Sequence, residues 1–312
     1  MSAISDAPAL PPDLATRPLR ASDSAEVFEV IAAQERHDIG TVEIEEEDLI
    51  AEWQRPSYDI EASTVAVLEQ ADGRERIVAY AELMGHDRYD AAVHPDVRGR
   101  GIGTWLAAWA RDLARSRGAS VVGMPVPEGS PGDRLLEGLG YRVRWTSWVL
   151  RLPAGQTIEE RPLPEGYALR VATEDDREQV WHVLEDAFLE WSEREKQSLD
   201  DFAAEVWLRP GFEPWQLQVA AGPNGAIAGA VFSTMAEGNG AKETYVARIA
   251  VHKDHRNRGL AQSLLVAAFE SGREHGAVSS CLSTDSRTGA LTLYEKVGMV
   301  TDSVWVNRAV DL

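Results

Sequence analysis

The stretch that decides the fold is Val246 to Ala261, VARIAVHKDHRNRGLA. An apolar, β-rich run ends at Val251 and a short cationic turn follows through Arg256, Asn257 and Arg258. After Gly259, an apolar pattern of helical spacing begins at Leu260. That order predicts a strand, a tight turn and a helix N-terminus. The first N–H groups of a helix have no intrahelical partner, and the helix dipole adds partial positive charge at the same end. Such a turn suits an anion, most readily a pyrophosphate. Glycine at 259 lets the backbone approach the phosphates without a Cβ in the way.

The same pattern stands earlier in the chain. Ala91 to Gly103 reads AAVHPDVRGRGIG, where Val93, His94, Arg98 and Gly101 match Val251, His252, Arg256 and Gly259 at one offset (251 − 93 = 158). The offset still holds at Gly140 in GLGY and Gly298 in KVGM. One period kept over about forty residues without a gap marks an internal repeat, so the chain reads as two copies of one domain.

Length and composition agree with that reading. A chain of 312 residues with 44% hydrophobic content can build two domains, each with its own core. It has no run of about eighteen apolar residues, so neither a span nor a membrane partner is expected. The start, MSAISDAPALPPDLATRP, has neither the basic nor the apolar region of a signal peptide, and residues 1–16 are expected to be a disordered lead-in. Cys281 is the only cysteine, which excludes an intrachain disulfide and favours a reducing cytoplasm. The formal charge of −20 divides evenly between residues 1–153 and 154–312. Without a basic cluster, nucleic acid is disfavoured as a partner. The acidic field keeps the chain soluble and can also help draw in a cationic amine.

Periodicity gives the same element order in both halves. In residues 17–153, a strand at Arg17–Arg20 precedes helices at Asp23–Gln34 and Glu43–Trp53. A hairpin of Thr64–Glu69 and Arg76–Leu83 then turns at Asp72 and Gly73. A strand to Val93 leads through the turn into a helix with Ile102, Trp105, Leu106, Trp109 and Leu113 on one face. Strand Ser120–Met124, helix Asp133–Leu139 and strand Tyr141–Leu152 close this copy, and 154–164 is a proline-rich linker. Residues 165–312 repeat the order, with a helix from Thr173 to Trp191, another at Leu199–Leu208 and a last strand at Val304–Val310. The whole predicts an α/β fold, a mixed sheet with helices on both faces.

Arg98-Gly99-Arg100-Gly101-Ile102-Gly103 and Arg256-Asn257-Arg258-Gly259-Leu260-Ala261 share one form: Gln or Arg, two residues, Gly, one residue, then Gly or Ala, directly after a strand. This resembles the signature of the GNAT superfamily of N-acetyltransferases, and the resemblance covers nearly the whole chain as a tandem pair. A P-loop would need Lys and then Ser or Thr after its last glycine, and a dinucleotide fingerprint would open a βαβ unit with an acid about twenty positions on. Neither context is present. The resemblance implies two tandem GNAT domains with acetyl-CoA as cosubstrate. Its pyrophosphate would lie on the turn, and its pantetheine along the strand ending at Ala250 and Val251, or at Val93 in the first copy. It also implies direct acetyl transfer to a primary amine of a small molecule or peptide. Mycothiol synthases resemble this chain in their tandem layout, but a tyrosine that they carry before the last helix matches Leu282 here, so the acceptor stays open.

Direct transfer needs two substrates held in line, an acid for the leaving thiolate and a base for the ammonium proton. The resemblance assigns the acid to Tyr294, four residues before Gly298. By the offset Leu136 holds that place in the first copy and has no proton to donate, so the second copy is expected to be catalytic and the first degenerate. Glu243 can reach an amine directly or through water, as can Glu237, although a solvated strand-edge glutamate is the commoner identity of either. Arg287 stands where the family often has Asn, at an expected pantetheine contact. Glu190, Trp191 and Trp215, together with Phe188, Phe212 and Glu193, can form an aromatic and acidic acceptor pocket or serve equally as core and solvated face. His252 and His255 read as loop caps or phosphate neighbours. No histidine or cysteine spacing fits a metal, and Cys281 reads as a buried thiol. A second class of function, a non-catalytic acetyl-CoA sensor or docking module, stays open, as does the oligomeric state.

Overall fold

The computed structural model describes residues 9–71, 73–238 and 241–312. The expected lead-in over 1–8, Asp72 of the first hairpin turn and the Glu237 side chain lie outside that description. The chain divides into two compact units: residues through Ser147 together with Val304–Leu312, and Trp148–Ser303.

The first unit holds β1 (Leu14–Arg17), β2 (Thr64–Ala71), β3 (Arg74–Met84), β4 (Arg88–Val93) and β5 (Val121–Pro127), side by side in that order. Its helices are α1 (Ser24–Asp38), α2 (Glu46–Trp53), α3 (Ile60–Ser63), α4 (Ile102–Ser116) and α5 (Pro131–Gly138). Successive side chains of a strand point to opposite faces. On β3 a bulge at Val78, where the register against β2 slips, shifts that alternation, so Ile77 and Tyr80 pack under α1 and α2 with Val30, Leu49 and Trp53, while Val78, Ala79 and Ala81 pack under α4 with Ile102 and Leu106. The first strand runs over Leu14–Arg17, three residues earlier than the expected Arg17–Arg20 and mostly within the expected disordered lead-in, and it stops there because Pro18 has no N–H to give a ladder.

In the second unit the order is β6-β11-β10-β9-β8-β7. These are β6 (Arg142–Leu152, of which Trp148 onward belongs here), β7 (Ala168–Val171), β8 (Leu217–Ala221), β9 (Ile227–Gly238), β10 (Ala241–Val251) and β11 (Ser279–Asp285). One face is covered by α6 (Arg177–Phe188) and α7 (Leu199–Glu205), through Leu184, Phe202 and Phe232. The other face carries α8 (Leu260–Glu274) and α9 (Leu291–Lys296), through Leu264, Phe269 and Tyr294. Helix α6 stops at Phe188, short of the expected Trp191, which leaves residues 189–198 as a loop.

The last strand, β12 (Val300–Asp311), departs from the expected boundary. Expected to close the second copy, it lies from Val304 onward with the first unit, where Trp305–Asp311 pairs antiparallel with Val121–Pro127. Arg308, at 2.6 Å from Asp133, fastens it to α5.

Helix α8 approaches β10 so closely that a Cβ at Gly272 would overlap Thr244 Oγ1, a buried side chain. Gly272→Ala should therefore cost about 1–3 kcal/mol in urea unfolding, despite alanine's better helix propensity. A neutral or stabilising result would contradict this packing.

Candidate functional site

The site of the second unit begins where one ladder stops. β10 and β11 pair in parallel from Glu243 opposite Ser279 to Val246 opposite Leu282. Against β9, the register of β10 slips between Val246 and Arg248, a bulge that re-aims the strand. Beyond it, β10 to Val251 and β11 to Asp285 run on without pairing to each other. Backbone N–H and C=O groups are obligatory hydrogen-bonding groups, so the opening presents main-chain partners to an extended ligand.

Past Val251 the chain makes a short 3₁₀ turn, Lys253–His255, then enters α8 through Asn257 at φ 61° and Gly259 at φ 82°. The first copy repeats the path with Gly99 at φ 77° and Gly101 at φ 82°. Asn is among the few residues other than Gly that accept this left-handed region, which explains the exchange at Asn257. Leu260 and Ala261 then begin α8 with their N–H groups unpaired, as Ile102 and Gly103 begin α4. His252 and His94 each accept a hydrogen bond at Nδ1 from the backbone N–H two residues on, so both cap the turn.

The leading arginines of the two motifs face inward. Arg256 donates from Nε to Val251 O at 3.1 Å and grips Glu190 with both terminal nitrogens at 2.7 Å. Arg98 does the same to Val93 O and Asp38, at 3.4 Å to the carbonyl and 2.6 and 2.9 Å to the carboxylate. Their guanidinium groups brace the turn and leave its backbone for a ligand. Glu190, expected in the acceptor pocket, is held by Arg256, whose hydrogen bonds and charge lower its pKa.

The second arginine separates the copies. Arg100 pairs with Asp13 at 2.6 Å and Glu69 at 2.8 Å. Arg258, its counterpart, lies 5.9 Å over the Tyr167 ring and has no carboxylate partner among the described residues. Across the opening, Arg287 forks Asp285 and stacks 4.8 Å from the Trp191 ring. Glu190 and Trp191 thus touch the residues following β10 and β11 respectively.

Two more expected residues fall differently. Trp215 stacks on His275 at 4.1 Å, at the C-terminal end of α8. At about 1.5 Å per residue, that end lies roughly 20 Å from the turn, so Trp215 does not join the site. Glu243 faces away from α8, where Ser279 Oγ donates at 2.6 Å and Cys281 Sγ at 2.7 Å to its carboxylate, and Arg151 pairs with it. Cys281 is buried. Tyr245 was missed: its hydroxyl meets Ser283 Oγ at 2.9 Å, beside the last paired residues. The alternation Glu243, Tyr245 on one side and Thr244, Val246 on the other held that signal. Arg248 was missed too, because the bulge sets it against Glu185 and Glu205 out of simple alternation.

Tyr294 lies on α9 in the packed cluster that includes Val246, Val251 and Leu282. Its hydroxyl has no hydrogen-bond partner among the described residues, and burial pushes its pKa up to about 12. Leu136, at the matching place, is buried between Val122 and Tyr141 in the first unit. There β4 pairs with β3 without a slip, and its parallel pairing with β5 is confined to Arg88 and Gly123.

A strand opening, a turn at a helix N-terminus and a buried phenol are the parts that an acyl-CoA-dependent N-acyltransferase requires. The acetyltransferase (GNAT) family model matches residues 30–132 and 177–299, so the chain belongs to that family. It is an N-acetyltransferase that takes acetyl from acetyl-CoA and passes it to an amine. A mycothiol acetyltransferase of Salinispora arenicola (strain CNS-205) is 30% identical over 229 residues, covering 70% of this chain and 71% of that protein. The likeness therefore reaches well beyond the two turns. A GCN5-related N-acetyltransferase from Sphaerobacter thermophilus superposes with a TM-score of 0.70 at 24% identity over 97% of both chains. A tandem GNAT protein from the clavulanic acid biosynthesis pathway gives 0.67 at 18% identity, over 96% of this chain and 98% of that one. Both share the fold. Among the described residues no helix is long and apolar enough to cross a membrane, and no group of side chains is arranged to hold a metal.

A phenol with a pKa near 12 keeps its proton at any lower pH. The kcat/KM profile should therefore show no tyrosine-dependent loss between about pH 8 and about pH 10. A basic limb near 10 that disappears in Tyr294→Phe would contradict the raised pKa of this hydroxyl.

Proposed function

We propose that acetyl transfer takes place in the second copy, on the primary amine of a small molecule, with Tyr294 as the acid. The observation that carries this reading is the Tyr294 hydroxyl, unpartnered and kept protonated beside the β10 and β11 opening, where the first copy has Leu136. Acetyl-CoA would lay its pyrophosphate on the amides of Arg258 to Ala261, with Arg258 beside it. Its pantetheine would bond main-chain groups near Ala250 and Val251. The amine nitrogen attacks the thioester carbonyl, the C–S bond breaks, and the thiolate takes the Tyr294 proton. The ammonium proton leaves on the other face of the sheet, where Glu243 is the nearest expected acceptor, directly or through water. Its three partners, Ser279, Cys281 and Arg151, hold the carboxylate in place, so its share is mainly electrostatic. In the first copy Asp13 and Glu69 neutralise Arg100 and place negative charge beside the turn, which disfavours a phosphate there. The relatives' name, mycothiol acetyltransferase, supports a small-molecule acceptor over a peptide.

Initial rates with acetyl-CoA and a panel of small amines test this. Tyr294→Phe should lower kcat about a hundredfold or more with little change in the KM for acetyl-CoA, since general acids typically contribute that much. A loss under about threefold would remove Tyr294 from the chemistry. Coenzyme binding with no turnover of any amine would favour the sensor.

A further inference from the structure

The first copy carries a polar patch that the chemistry of the second copy leaves unused. On the α1 and α2 face of its sheet, Tyr80 and Glu82 of β3 stand in register with Ala92 and Asp90 of β4. Asp90 lies in the part of β4 that has already left β5. Trp53, at the end of α2, and Tyr58 close over Glu82, donating from Nε1 at 2.8 Å and from the hydroxyl at 3.0 Å.

Both of those donors go to Glu82 Oε2, which leaves Oε1 with none, although the side chain is only 3% exposed. Tyr80 is also 3% exposed, and its hydroxyl has no hydrogen-bond partner among the described residues. Arg88 donates to Asp90 Oδ2 at 3.1 Å, and Asp90 Oδ1 has no hydrogen-bond partner among the described residues. Glu82 and Tyr80 are nearly buried, so a ligand that reaches these oxygens with donors of its own gains hydrogen bonds that little water competes for. Burial, with the charge of Asp90 adding to it, pushes Glu82 up to about 7 and Tyr80 well above its usual value.

The second copy treats the same place in the opposite way. There the cross-strand pair is Phe232 with Arg248, and Arg248 is itself occupied by Glu205 and Glu185. In the first copy two carboxylates and two phenols gather around Arg88; in the second Arg248 lies over the Phe202 ring between two carboxylates from the helices. The repeat has kept the backbone and exchanged the groups upon it.

We propose that the first copy binds a small organic ammonium on this patch, with Glu82, Asp90 and Tyr80 accepting its N–H groups among the aromatic side chains of Trp53 and Tyr58. An ammonium brings three donors to three unsatisfied oxygens and a positive charge to two carboxylates, and aromatic faces add to its attraction. A neutral alcohol brings one donor and no charge. Because Leu136 replaces the acid, the amine is held there without being acetylated.

The test is calorimetric titration of the full chain with benzylamine at about pH 8, with benzyl alcohol as the uncharged control. Benzylamine should bind saturably and the alcohol at least tenfold more weakly. Glu82→Gln and Asp90→Asn should each weaken benzylamine tenfold or more, while Glu243→Gln leaves it unchanged. Asp90 is half-buried, so its variant keeps the test decisive if Glu82→Gln perturbs the fold. Absent saturable binding, equal binding of the alcohol, or indifference to both variants overturns the proposal. Loss in Glu243→Gln alone would also overturn it, by placing the amine in the second copy. None of these outcomes bears on the effect of Tyr294→Phe on turnover, so the two assignments fail separately.

Discussion

The parallel ladder between β10 and β11 ends at Val246 and Leu282, and the bulge that follows turns the rest of β10 away. A parallel pair that opens part way along leaves two rows of main-chain groups facing a gap. In a protein interior such groups would be paired, and in the proposed function the pantetheine of acetyl-CoA pairs with them. Everything else at the site follows from that opening. Tyr294 packs against the strands that bound it, the left-handed turn at Gly259 closes its far end, and Arg256 ties the turn back to the strand through Val251 O. The loop after α6 is fastened to both sides, by Glu190 on Arg256 and by Trp191 on Arg287.

The two copies show what a duplicated scaffold can drop and still fold. Each retains the left-handed glycine, the capping histidine and the bracing arginine with its carboxylate. These interactions lie within the turn and its immediate support, and they stabilise it whether or not a ligand arrives. What differs is the chemistry placed around the turn. The first copy exchanges phenol for leucine, surrounds its second arginine with carboxylates and keeps β4 straight against β3. Packing tolerates these changes because leucine fills a core position as well as tyrosine does, without a hydroxyl to satisfy.

The turns and the repeat were legible because each depends on residues close together in sequence. A left-handed cap calls for Gly or Asn, and a helix start shows in its apolar spacing. Features that depend on distant partners were not legible. Glu190 finds Arg256 sixty-six residues away, and Trp215 lies on His275 at the wrong end of α8 for an acceptor site. The bulge in β10 is defined against β9, so β10 alone gives no sign of it. The sheet joined by β12 was misassigned for a similar reason. β6 and β12 occupy equivalent places in the repeat, and an alternating strand shows in its sequence that it will pair but not with which neighbour.

The central claim is that the coenzyme engages the opening and turn of the second copy. Calorimetric titration with acetyl-CoA tests it most directly, comparing the unaltered chain with Gly101→Glu and Gly259→Glu. A glutamate at either position strains a left-handed residue and sets a carboxylate against the phosphates. The account predicts one site per chain, kept in Gly101→Glu and lost in Gly259→Glu. A site that survives Gly259→Glu and disappears in Gly101→Glu would contradict it.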